Sequence, residues 1–426
     1  MQFASGTWHL DAGAHSRGEL PDWRELREAG GVQRLQLPGG PRIWAVTRYH
    51  DVLDFWRAEE LTRDWRQAQN PDCGYGTQRY PEDYFAATPR NLFNTEGADH
   101  ARLYGLTVPF FTKQRIDVWR PFVTETVNRA ADRLGAKARA ELVAEFAVPV
   151  PLTVIGRLLG IPDELHAQFA EHLRTVSAWL DPATPQWQHA SRELHRLALR
   201  VMARKWSGSG DDLIAMLIDS HKQHGTMSRQ EIASIIVILL ATGYETTAAL
   251  LAEGALAMVA DPALRQRLTG AADKAGGAID ELLRRTPPSP FGQVKLALRD
   301  TQLGGAAIHA GDLVFPLIDS ANRDDTVYQD PDRLCPAGRE PRHLSFGRGR
   351  RRCMGSELAR LVARVALTTL ARRFPAMALA EPQDKLTRSG ILHLRILDKL
   401  PVHVHGPTPT PGTTAPEEVL IRSEER

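Results

Sequence analysis

The strongest constraint on the fold of this chain is a long apolar segment near its middle, which predicts one continuous buried helix. Ser228-Arg-Gln-Glu231 has the spacing of a capping box, and Asp261-Pro262 marks the other end, so we expect the helix to run to about Ala260. Nearly every face is apolar from Ile232 to Ala241. A helix with this pattern must be surrounded by other elements.

The length and composition of the chain allow such a surrounding core. The chain has 426 residues, of which 42% are hydrophobic and 24% are charged. These values exclude a small disulfide-stapled domain and argue against a chain that is disordered throughout. Lysine plus arginine number 53 and aspartate plus glutamate 51, which gives a formal charge of +2. A dedicated nucleic-acid-binding protein is usually strongly basic, so that class is disfavoured.

The remaining pattern predicts a mainly α-helical fold with a minor β-sheet portion. A hairpin is expected where Arg34–Leu37 and Arg42–Thr47 flank the turn Pro38-Gly-Gly-Pro41. Short strands are expected again between Val294 and Phe315. From Phe110 to Ala260 the pattern is mostly helical, with breaks near Gly160-Ile-Pro162, Asp181-Pro182 and Ser207-Gly-Ser-Gly210.

Two segments are expected to lack regular structure. Residues 70–95 are rich in Pro, Gly, Asn and Tyr, and they predict a long loop of the kind that often forms a functional lid. Residues 406–426 are rich in Pro and Thr and cannot build a core. We therefore expect a single domain over residues 1–405 and a disordered tail over 406–426.

The cysteines and the N-terminal residues indicate a cytoplasmic protein. Cys73, Cys335 and Cys353 lack the CxxC-type spacing of a zinc site. The N-terminal residues lack the basic and apolar regions of a secretory signal. No run of about 18 uninterrupted apolar residues predicts a membrane span. We expect neither a membrane nor a nucleic acid as a partner.

A loop rich in glycine and arginine places one cysteine just before a second amphipathic helix. This loop is Phe346-Gly-Arg-Gly-Arg-Arg-Arg-Cys-Met-Gly355. Gly347 and Gly349 permit positive φ, so the loop can aim backbone N–H groups at the sulfur of Cys353, and the helix N-terminus favours a thiolate. An anionic sulfur guarded by Phe346 is what a haem iron requires as a ligand. An inert buried cysteine or an exposed arginine patch for a polyanion is the alternative, and the regular frame of glycines disfavours both.

The central helix also carries polar residues, in Thr242-Gly-Tyr-Glu-Thr-Thr247. A carboxylate and hydroxyl groups in a buried helix are costly unless they have partners. Thr246 can satisfy itself by bonding back to the carbonyl of residue 242. Glu245 is harder to explain, because an unpaired buried carboxylate indicates a functional role.

These two segments resemble the cytochrome P-450 family, and the resemblance covers about residues 20–405. The family's haem-binding signature has Phe, Gly, Gly, a basic residue, Cys and Gly at the spacings of 346–355. Its central-helix motif is Ala/Gly-Gly-x-Asp/Glu-Thr-Thr/Ser. The resemblance implies a cytochrome P-450 fold, with haem b between the central helix and the helix after the cysteine loop. Cys353 would be the axial thiolate, and Phe346 and Gly347 would contact the cofactor.

By the same resemblance, Glu245 is the acid and Thr246 the alcohol that deliver protons to dioxygen. Gly243 would let the helix open locally and leave room for oxygen. Thr242 and the bulky Tyr244 depart from the usual pattern, and neither removes the acid–alcohol pair.

A structural network is implied on the cysteine side of the haem. Glu281-Leu-Leu-Arg284 matches the family's Glu-x-x-Arg helix, and Arg339 would close the network. Considered alone, the pair is typical of a surface ion pair.

The resemblance also assigns residues to the haem propionates. His100 matches a family histidine at the start of a helix, Arg351 the basic position two before the cysteine, and Lys295 a strand position that commonly holds arginine. A solvated surface side chain is the alternative for Lys295. Tyr104 stands where the family usually has arginine, so a charge is lost there. His343 also fits the family's pattern, or only braces the loop.

The implied function is a haem-thiolate monooxygenase that oxidises a small organic substrate with electrons from a ferredoxin-type partner and its reductase. Arg348, Arg350 and Arg352 would offer an acidic partner a docking face. The chain resembles the bacterial branch of the family, where many members tailor specialised metabolites by hydroxylation or oxidative coupling. A peroxide-driven enzyme is disfavoured by the acid–alcohol pair, and a non-catalytic helper of the same fold is disfavoured by Cys353.

Several segments would face the substrate by resemblance: residues 70–95, 174–189, 235–246, 290–294 and 391–392. Their aromatic residues suit a flat or peptide-like substrate, although core packing explains aromatic residues equally well. These residues are Tyr75, Tyr80, Tyr84, Phe85, Trp179 and Trp187.

Overall fold

The computed structural model describes residues 1–11, 21–38, 40–67, 90–177, 184–208, 210–334, 342–389 and 394–406. Several predictions fall outside these residues and are not tested by the structure. They concern most of the loop at 70–95, the break at Asp181-Pro182, the tail after Gly406, and the residues Cys73, Trp179, Cys335, Arg339, Ile391 and Leu392.

Helices make up most of the described chain, which confirms the predicted mainly α-helical class. In chain order they are α1 (Arg24–Ala29), α2 (Tyr49–Arg57), α3 (Gly97–Thr107), α4 (Lys113–Val118), α5 (Arg120–Gly135), α6 (Pro149–Leu159), α7 (Asp163–Ser177), α8 (Pro185–Lys205), α9 (Leu213–His224), α10 (Arg229–Ala260), α11 (Pro262–Thr269), α12 (Ala272–Arg285), α13 (Ile318–Ala321) and α14 (Ser356–Arg373).

The strands are short and form a minor part of the fold. They are β1 (Gln2–Ala4), β2 (Thr7–His9), β3 (Val32–Gln36), β4 (Arg42–Val46), β5 (Leu61–Thr62), β6 (Arg139–Glu141), β7 (Lys295–Ala297), β8 (Thr301–Leu303), β9 (Ala306–Ile308), β10 (Leu313–Pro316), β11 (Ala378–Leu379), β12 (Arg388–Ser389), β13 (Ile396–Leu397) and β14 (Pro401–His403).

The largest described sheet has the strand order β1-β2-β3-β4-β10-β7-β5. Strands β3 and β4 pair antiparallel, with Val32 opposite Val46 and Gln36 opposite Arg42. The predicted hairpin is therefore confirmed. Strand β10 joins this hairpin parallel to β4 and antiparallel to β7, so the chain returns to the sheet only after the long helical region.

The long helix α10 forms the centre of the molecule, as its apolar pattern predicts. The capping box is present: the side chain of Ser228 accepts from the N–H of Glu231 at 3.2 Å, and the Glu231 carboxylate accepts from the N–H of Ser228 at 2.7 Å. The helix packs against α6, α8 and α14. It is long and apolar enough to cross a membrane, but 83% of its most apolar stretch is buried inside the protein, as expected of a core helix.

The predicted breaks in the helical region are present where the structure describes them. Helix α6 ends at Leu159 because Gly160 adopts a left-handed conformation with a φ of 87°, and its N–H bonds back to the carbonyls of Gly156 and Arg157. Helices α8 and α9 are separated by residues 206–212.

Candidate active site

A cavity of about 290 Å³ lies between α10 and the cysteine loop. The loop and the start of α14 form one wall, which we call the cysteine wall. The opposite wall, the helix wall, consists of residues of α10: Ile238, Leu239, Thr242, Thr246, Thr247 and Leu250. The ends of the cavity are lined by both apolar and polar groups: Trp56, Arg63, Leu92, Phe93, His100, Tyr104, Leu283, Ser289, Gln293 and Arg351.

The cysteine loop has the conformation that its glycines predict. Gly347 and Gly349 have φ values of 65° and 70°, which only glycine adopts readily. The N–H of Cys353 donates to the carbonyl of Phe346 at 2.8 Å, and the N–H of Gly347 donates to the carbonyl of Leu344 at the same distance. These bonds close the loop so that the side chain of Cys353 is exposed to the cavity.

The electrostatic environment of the Cys353 sulfur combines opposing influences. Burial within the protein raises the pKa of the Cys353 thiol. A hydrogen bond from the backbone of Gly355 and the charges of Arg352 and Arg360 act in the opposite direction. The sequence favoured a thiolate because of the helix N-terminus and the backbone N–H groups of the loop, whereas burial is the larger influence in the folded protein. A cation at the sulfur would offset this penalty, as a metal ion does for a coordinating thiol.

Arg360 and His343 support the start of the cysteine loop and share Asp280 as a partner. The guanidinium of Arg360 lies 4.6 Å from the ring centroid of Phe346, and Arg360 also donates to Asp280 at 2.8 Å. The ring of His343 contacts the same Asp280 at 3.4 Å, and its Nδ1 accepts from the N–H of Ser345. His343 does not line the cavity. It braces the loop, which is the second of the two roles considered for it.

The Glu281–Arg284 pair lies in the protein interior. Its Nη2–Oε1 distance is 2.9 Å, and the two residues are only 3% and 1% exposed. Arg284 also donates to the carbonyls of Asn322, Pro331 and Arg333. The pair therefore anchors the segment 322–333, which precedes the cysteine loop in the chain. It is not a surface ion pair.

On the helix wall, the hydroxyl groups are satisfied within α10 itself. Thr246 donates to the carbonyl of Thr242 at 2.7 Å, and Thr247 donates to the carbonyl of Gly243 at 2.9 Å. Both threonines line the cavity. Thr246 thus makes the local bond that its sequence allowed and still faces Cys353 across the cavity, with its oxygen lone pairs free to accept further bonds.

Glu245 lies on a different face of α10 and does not line the cavity. Consecutive helical residues are about 100° apart, so its carboxyl group points toward the end of α7. There Ser177 donates to Oε2 at 2.9 Å and the phenol of Tyr244 donates to Oε1 at 3.2 Å. Burial raises the pKa of Glu245 to about 7, although these two hydrogen bonds and the charge of Arg174 act against the increase. The structure therefore does not bring Glu245 and Thr246 together in one pocket.

Gly243 has a packing role that the sequence did not indicate. A Cβ at this position would lie 2.7 Å from Cγ1 of Ile155 in α6. The glycine allows α6 and α10 to approach closely. It does not line the cavity, so the expectation that it leaves room for oxygen is not met in this structure.

Two of the predicted propionate-binding residues, His100 and Arg351, line the cavity. Burial lowers the pKa of His100 to about 4, with the charges of Arg351 and Arg63 acting in the same direction, so the ring is neutral at pH 7. Arg351 pairs with Glu96 at 2.9 Å and donates to the carbonyls of Leu92 and Thr95.

Lys295 lies neither at the cavity, as a propionate-binding residue would, nor at the solvent-exposed surface. It is 5% exposed and does not line the cavity. Its ammonium group donates to the carbonyls of Phe55, Trp56 and Ala58 at 3.0, 3.4 and 3.3 Å, at the C-terminal end of α2. Lys295 therefore neutralises the negative end of a helix dipole and is not a solvated side chain.

Arg63 contributes to the site without any signal in the sequence. Gln293 and Ser177 lie in the segments 290–294 and 174–189 that were expected to face the substrate, but neither residue was singled out. Arg63 follows β5 and lines the cavity beside His100 and Arg351. It lies in no motif, so only the fold brings it here. The sequence did show that Tyr244 departs from the family's motif, but it did not show that this tyrosine is a hydrogen-bond partner of Glu245.

Comparison with known proteins identifies the fold. Residues 152–401 match the family model described as Cytochrome P450. The nocardicin C N-oxygenase of Nocardia uniformis subsp. tsuyamanensis is 32% identical over 385 residues, which are 90% of this chain and 94% of that protein. The mycinamicin IV hydroxylase/epoxidase of Micromonospora griseorubida is 30% identical and covers 89% of this chain and 94% of its own. A solved myxobacterial cytochrome P450 in complex with myristic acid is 30% identical, covers 90% of this chain and 95% of its own, and has a TM-score of 0.83.

The chain belongs to the cytochrome P450 family. It is a monooxygenase whose cofactor is haem with an axial cysteine thiolate, and it works with a small-molecule substrate and a redox partner. The residues present fit that cofactor. Apolar side chains line most of the cavity, a cysteine faces into it, and donors stand at one end, where the Nε of Arg63 is buried without a partner.

Proposed function

We propose that this cavity binds haem through Cys353, and that the enzyme oxidises a natural product by hydroxylation or oxidative coupling. The observation that carries the site assignment is the position of Cys353, which faces the hydroxyl of Thr246 across an apolar cavity. The named relatives act on nocardicin C and mycinamicin IV, and their similarity to this chain supports a substrate of specialised metabolism. The haem domain would span residues 1–405.

The residues of the two walls would have distinct tasks. When bound, the haem activates O₂ with two electrons supplied from outside. Gly347 and Phe346 would form the surface that contacts the haem, and His100 and Arg351 would donate to its propionates. Thr246 would hold a water molecule at the helix wall by accepting a hydrogen bond from it. The apolar lining excludes bulk water, which strengthens these polar contacts.

Glu245 is the proposed proton source. A pKa of about 7 keeps this carboxyl group near half protonation at neutral pH, which suits an acid that gives up a proton and regains it from solvent. Its side chain must turn away from Ser177 and Tyr244 to reach the water held by Thr246. Catalytic hydrogen bonds often form only once substrate is bound, so its position here is compatible with this role.

We further propose a ferredoxin-type electron donor in the cytoplasm. Arg350 and Arg352 are exposed beside the cysteine loop, where an acidic partner would approach the haem. Reduction by ferredoxin is expected to slow as salt concentration rises and to slow further in Arg350→Glu. Arg196→Glu, on the exposed face of α8, is the matched control and is expected to have no effect. An equal effect of the two substitutions would contradict this docking face.

The test of the site is the reduced, carbon-monoxide-bound absorption spectrum of the parent and of Cys353→Ala. A red-shifted thiolate-type Soret band is expected in the parent and not in the variant. A band that survives the substitution would overturn the assignment of Cys353. Product formation with reductase and ferredoxin, compared with hydrogen peroxide alone, distinguishes the monooxygenase from a peroxide-driven enzyme.

A further inference from the structure

We infer that Arg63 is a haem-propionate-binding residue of this enzyme, supplying from a different part of the chain the charge that is lost at Tyr104. The inference rests on the haem site proposed above. It concerns a residue that belongs to none of the motifs. It follows from the burial of Arg63, from its lack of a counter-ion and from the balance of charges around it.

Arg63 is a buried cation that faces the cavity. Its side chain lines the same cavity as Cys353, and the residue is only 8% exposed. Nη1 donates to Oε1 of Gln293, which is a neutral acceptor, and Nε is buried without any hydrogen-bond partner. A buried guanidinium with an unused donor is costly unless an anion completes its shell.

Burial, and to a smaller extent the charge of Arg351, lower the pKa of Arg63 to about 9, although the charge of Glu96 opposes both. The group therefore stays charged at neutral pH. The protein keeps this cation in place without supplying a carboxylate for it.

Glu96 is already occupied and does not serve as that counter-ion. Its Oε2 lies 2.9 Å from Nη2 of Arg351. Its Oε1 accepts at 3.1 Å from the backbone N–H of Arg63, not from the guanidinium. Within the described part of the chain, no carboxylate lies at ion-pair distance from the Arg63 side chain.

The charges at this end of the cavity leave room for an anion. Three cations, Arg63, Lys295 and Arg351, influence one another here and share one nearby carboxylate, Glu96. The ammonium group of Lys295 donates to the carbonyls at the end of α2, and Arg351 is paired with Glu96. Among these three cations, Arg63 is the one whose guanidinium has neither a carboxylate nor a helix end as a partner, and its fork of N–H donors matches the shape of a ligand carboxylate.

The carboxylate has two chemical sources, a haem propionate or an acidic substrate, and the neighbours of Arg63 favour the propionate. Arg63 shares its end of the cavity with the neutral donor His100 and with Arg351 of the cysteine loop. A carboxylate bound there would be attached to a group that also reaches Cys353. Haem meets this requirement in every turnover, with any substrate.

The experiment compares Arg63→Gln and Arg63→Lys with the exposed control Arg57→Gln. The rate of haem transfer from each ferric holoprotein to excess apomyoglobin is measured, together with the carbon monoxide spectrum. Loss of a charge-assisted hydrogen bond is expected to speed haem loss of Arg63→Gln about tenfold or more. Arg63→Lys is expected to fall between parent and Arg63→Gln, because it keeps the charge without the fork. Arg57→Gln should match the parent, and every variant should keep the thiolate-type band.

Haem dimethyl ester, whose propionates carry no charge, identifies the source of the carboxylate. Arg63→Gln is expected to lose this ester at the same rate as the parent, because there is no propionate charge to bind. A tenfold difference that persists with the ester would overturn the propionate assignment. Equal rates of haem loss with ordinary haem would also overturn it. A weaker spin-state response to a fatty acid in Arg63→Gln alone would then identify an acidic substrate as the source of the carboxylate. If either result is obtained and the parent shows the thiolate-type band, the proposed function still stands. Absence of that band in the parent would overturn both the proposed function and the inference.

Discussion

The two walls of the cavity differ in the source of the bonds that hold them. On the cysteine wall, backbone bonds close the loop around Cys353, and the buried Glu281–Arg284 pair anchors the chain that leads to it. On the helix wall, Thr246 is satisfied within α10, whereas Glu245, on another face of α10, is satisfied by partners outside the cavity. The cysteine wall is therefore already arranged for its task, whereas the proposed proton transfer requires Glu245 to exchange partners.

This difference has a chemical reason. A metal ligand must stay in one position through every step, so a closed backbone loop suits it. A proton donor must reach both solvent and reactant, so a carboxyl group with a near-neutral pKa and replaceable hydrogen bonds suits it. The following predictions test this contrast, from the largest expected effect to the smallest.

The largest effect is expected from breaking the support of the cysteine wall with Glu281→Gln. This substitution leaves the buried Arg284 without its counter-ion, and the loss in free energy of unfolding should be about 3 to 5 kcal/mol. Asp54→Asn is the matched control, because Asp54 and Arg57 form an (i, i+3) pair that is mostly exposed. It should cost less than about 0.5 kcal/mol. Urea unfolding measures both losses. Similar values would show that the buried pair contributes no more to the free energy of unfolding than the exposed pair.

Behind the helix wall, the raised pKa of Glu245 predicts a pH-dependent stability. The folded protein retains a proton that the unfolded chain loses above its ordinary pKa of 4.5. The contribution of Glu245 to stability therefore falls as pH rises from about 4.5 to 7, and then levels off. The total loss should be about 3 kcal/mol.

Glu245→Gln removes this titration, so urea unfolding at pH 5 and pH 8 can isolate it. Other titrating groups are common to both proteins and cancel in the difference. The variant should gain about 2.5 kcal/mol relative to the parent between these two pH values, because a small part of the loss has already occurred at pH 5. A difference that is the same at both pH values would mean that Glu245 is charged throughout.

The same variant should impair catalysis while leaving the cysteine wall intact. Loss of a positioned acid is expected to slow substrate oxidation about 100-fold. The carbon monoxide spectrum should be unchanged, because Glu245 does not line the cavity. The rate of product formation with reductase and ferredoxin gives the measurement. An unchanged rate would exclude Glu245 as the proton source.

The smallest effects should come from the partners of Glu245. Tyr244→Phe and Ser177→Ala each remove one donor that lowers the pKa of this carboxyl group. Each should cost about 1 kcal/mol in stability and move the Glu245-dependent limb of the pH–rate profile to higher pH. The shift should be larger for Ser177→Ala, whose hydrogen bond is shorter. A shift toward lower pH would contradict the orientation of these bonds.

Much of the architecture is predictable from the sequence, because it depends on residues that are close in the chain. The capping box before α10, the hairpin of β3 and β4 and the left-handed glycines of the cysteine loop are all confirmed. Each arises from hydrogen bonds or dihedral preferences within about ten residues, where pattern reasoning applies.

The tertiary structure alone decides which way the polar side chains of the site face. Glu245 meets Ser177 from α7, Lys295 meets the end of α2, and Gly243 meets Ile155. Arg63 reaches the haem cavity from a strand end that carries no motif. A buried polar group takes whichever partner satisfies it at the lowest cost, and that partner comes from distant parts of the chain that only folding brings together.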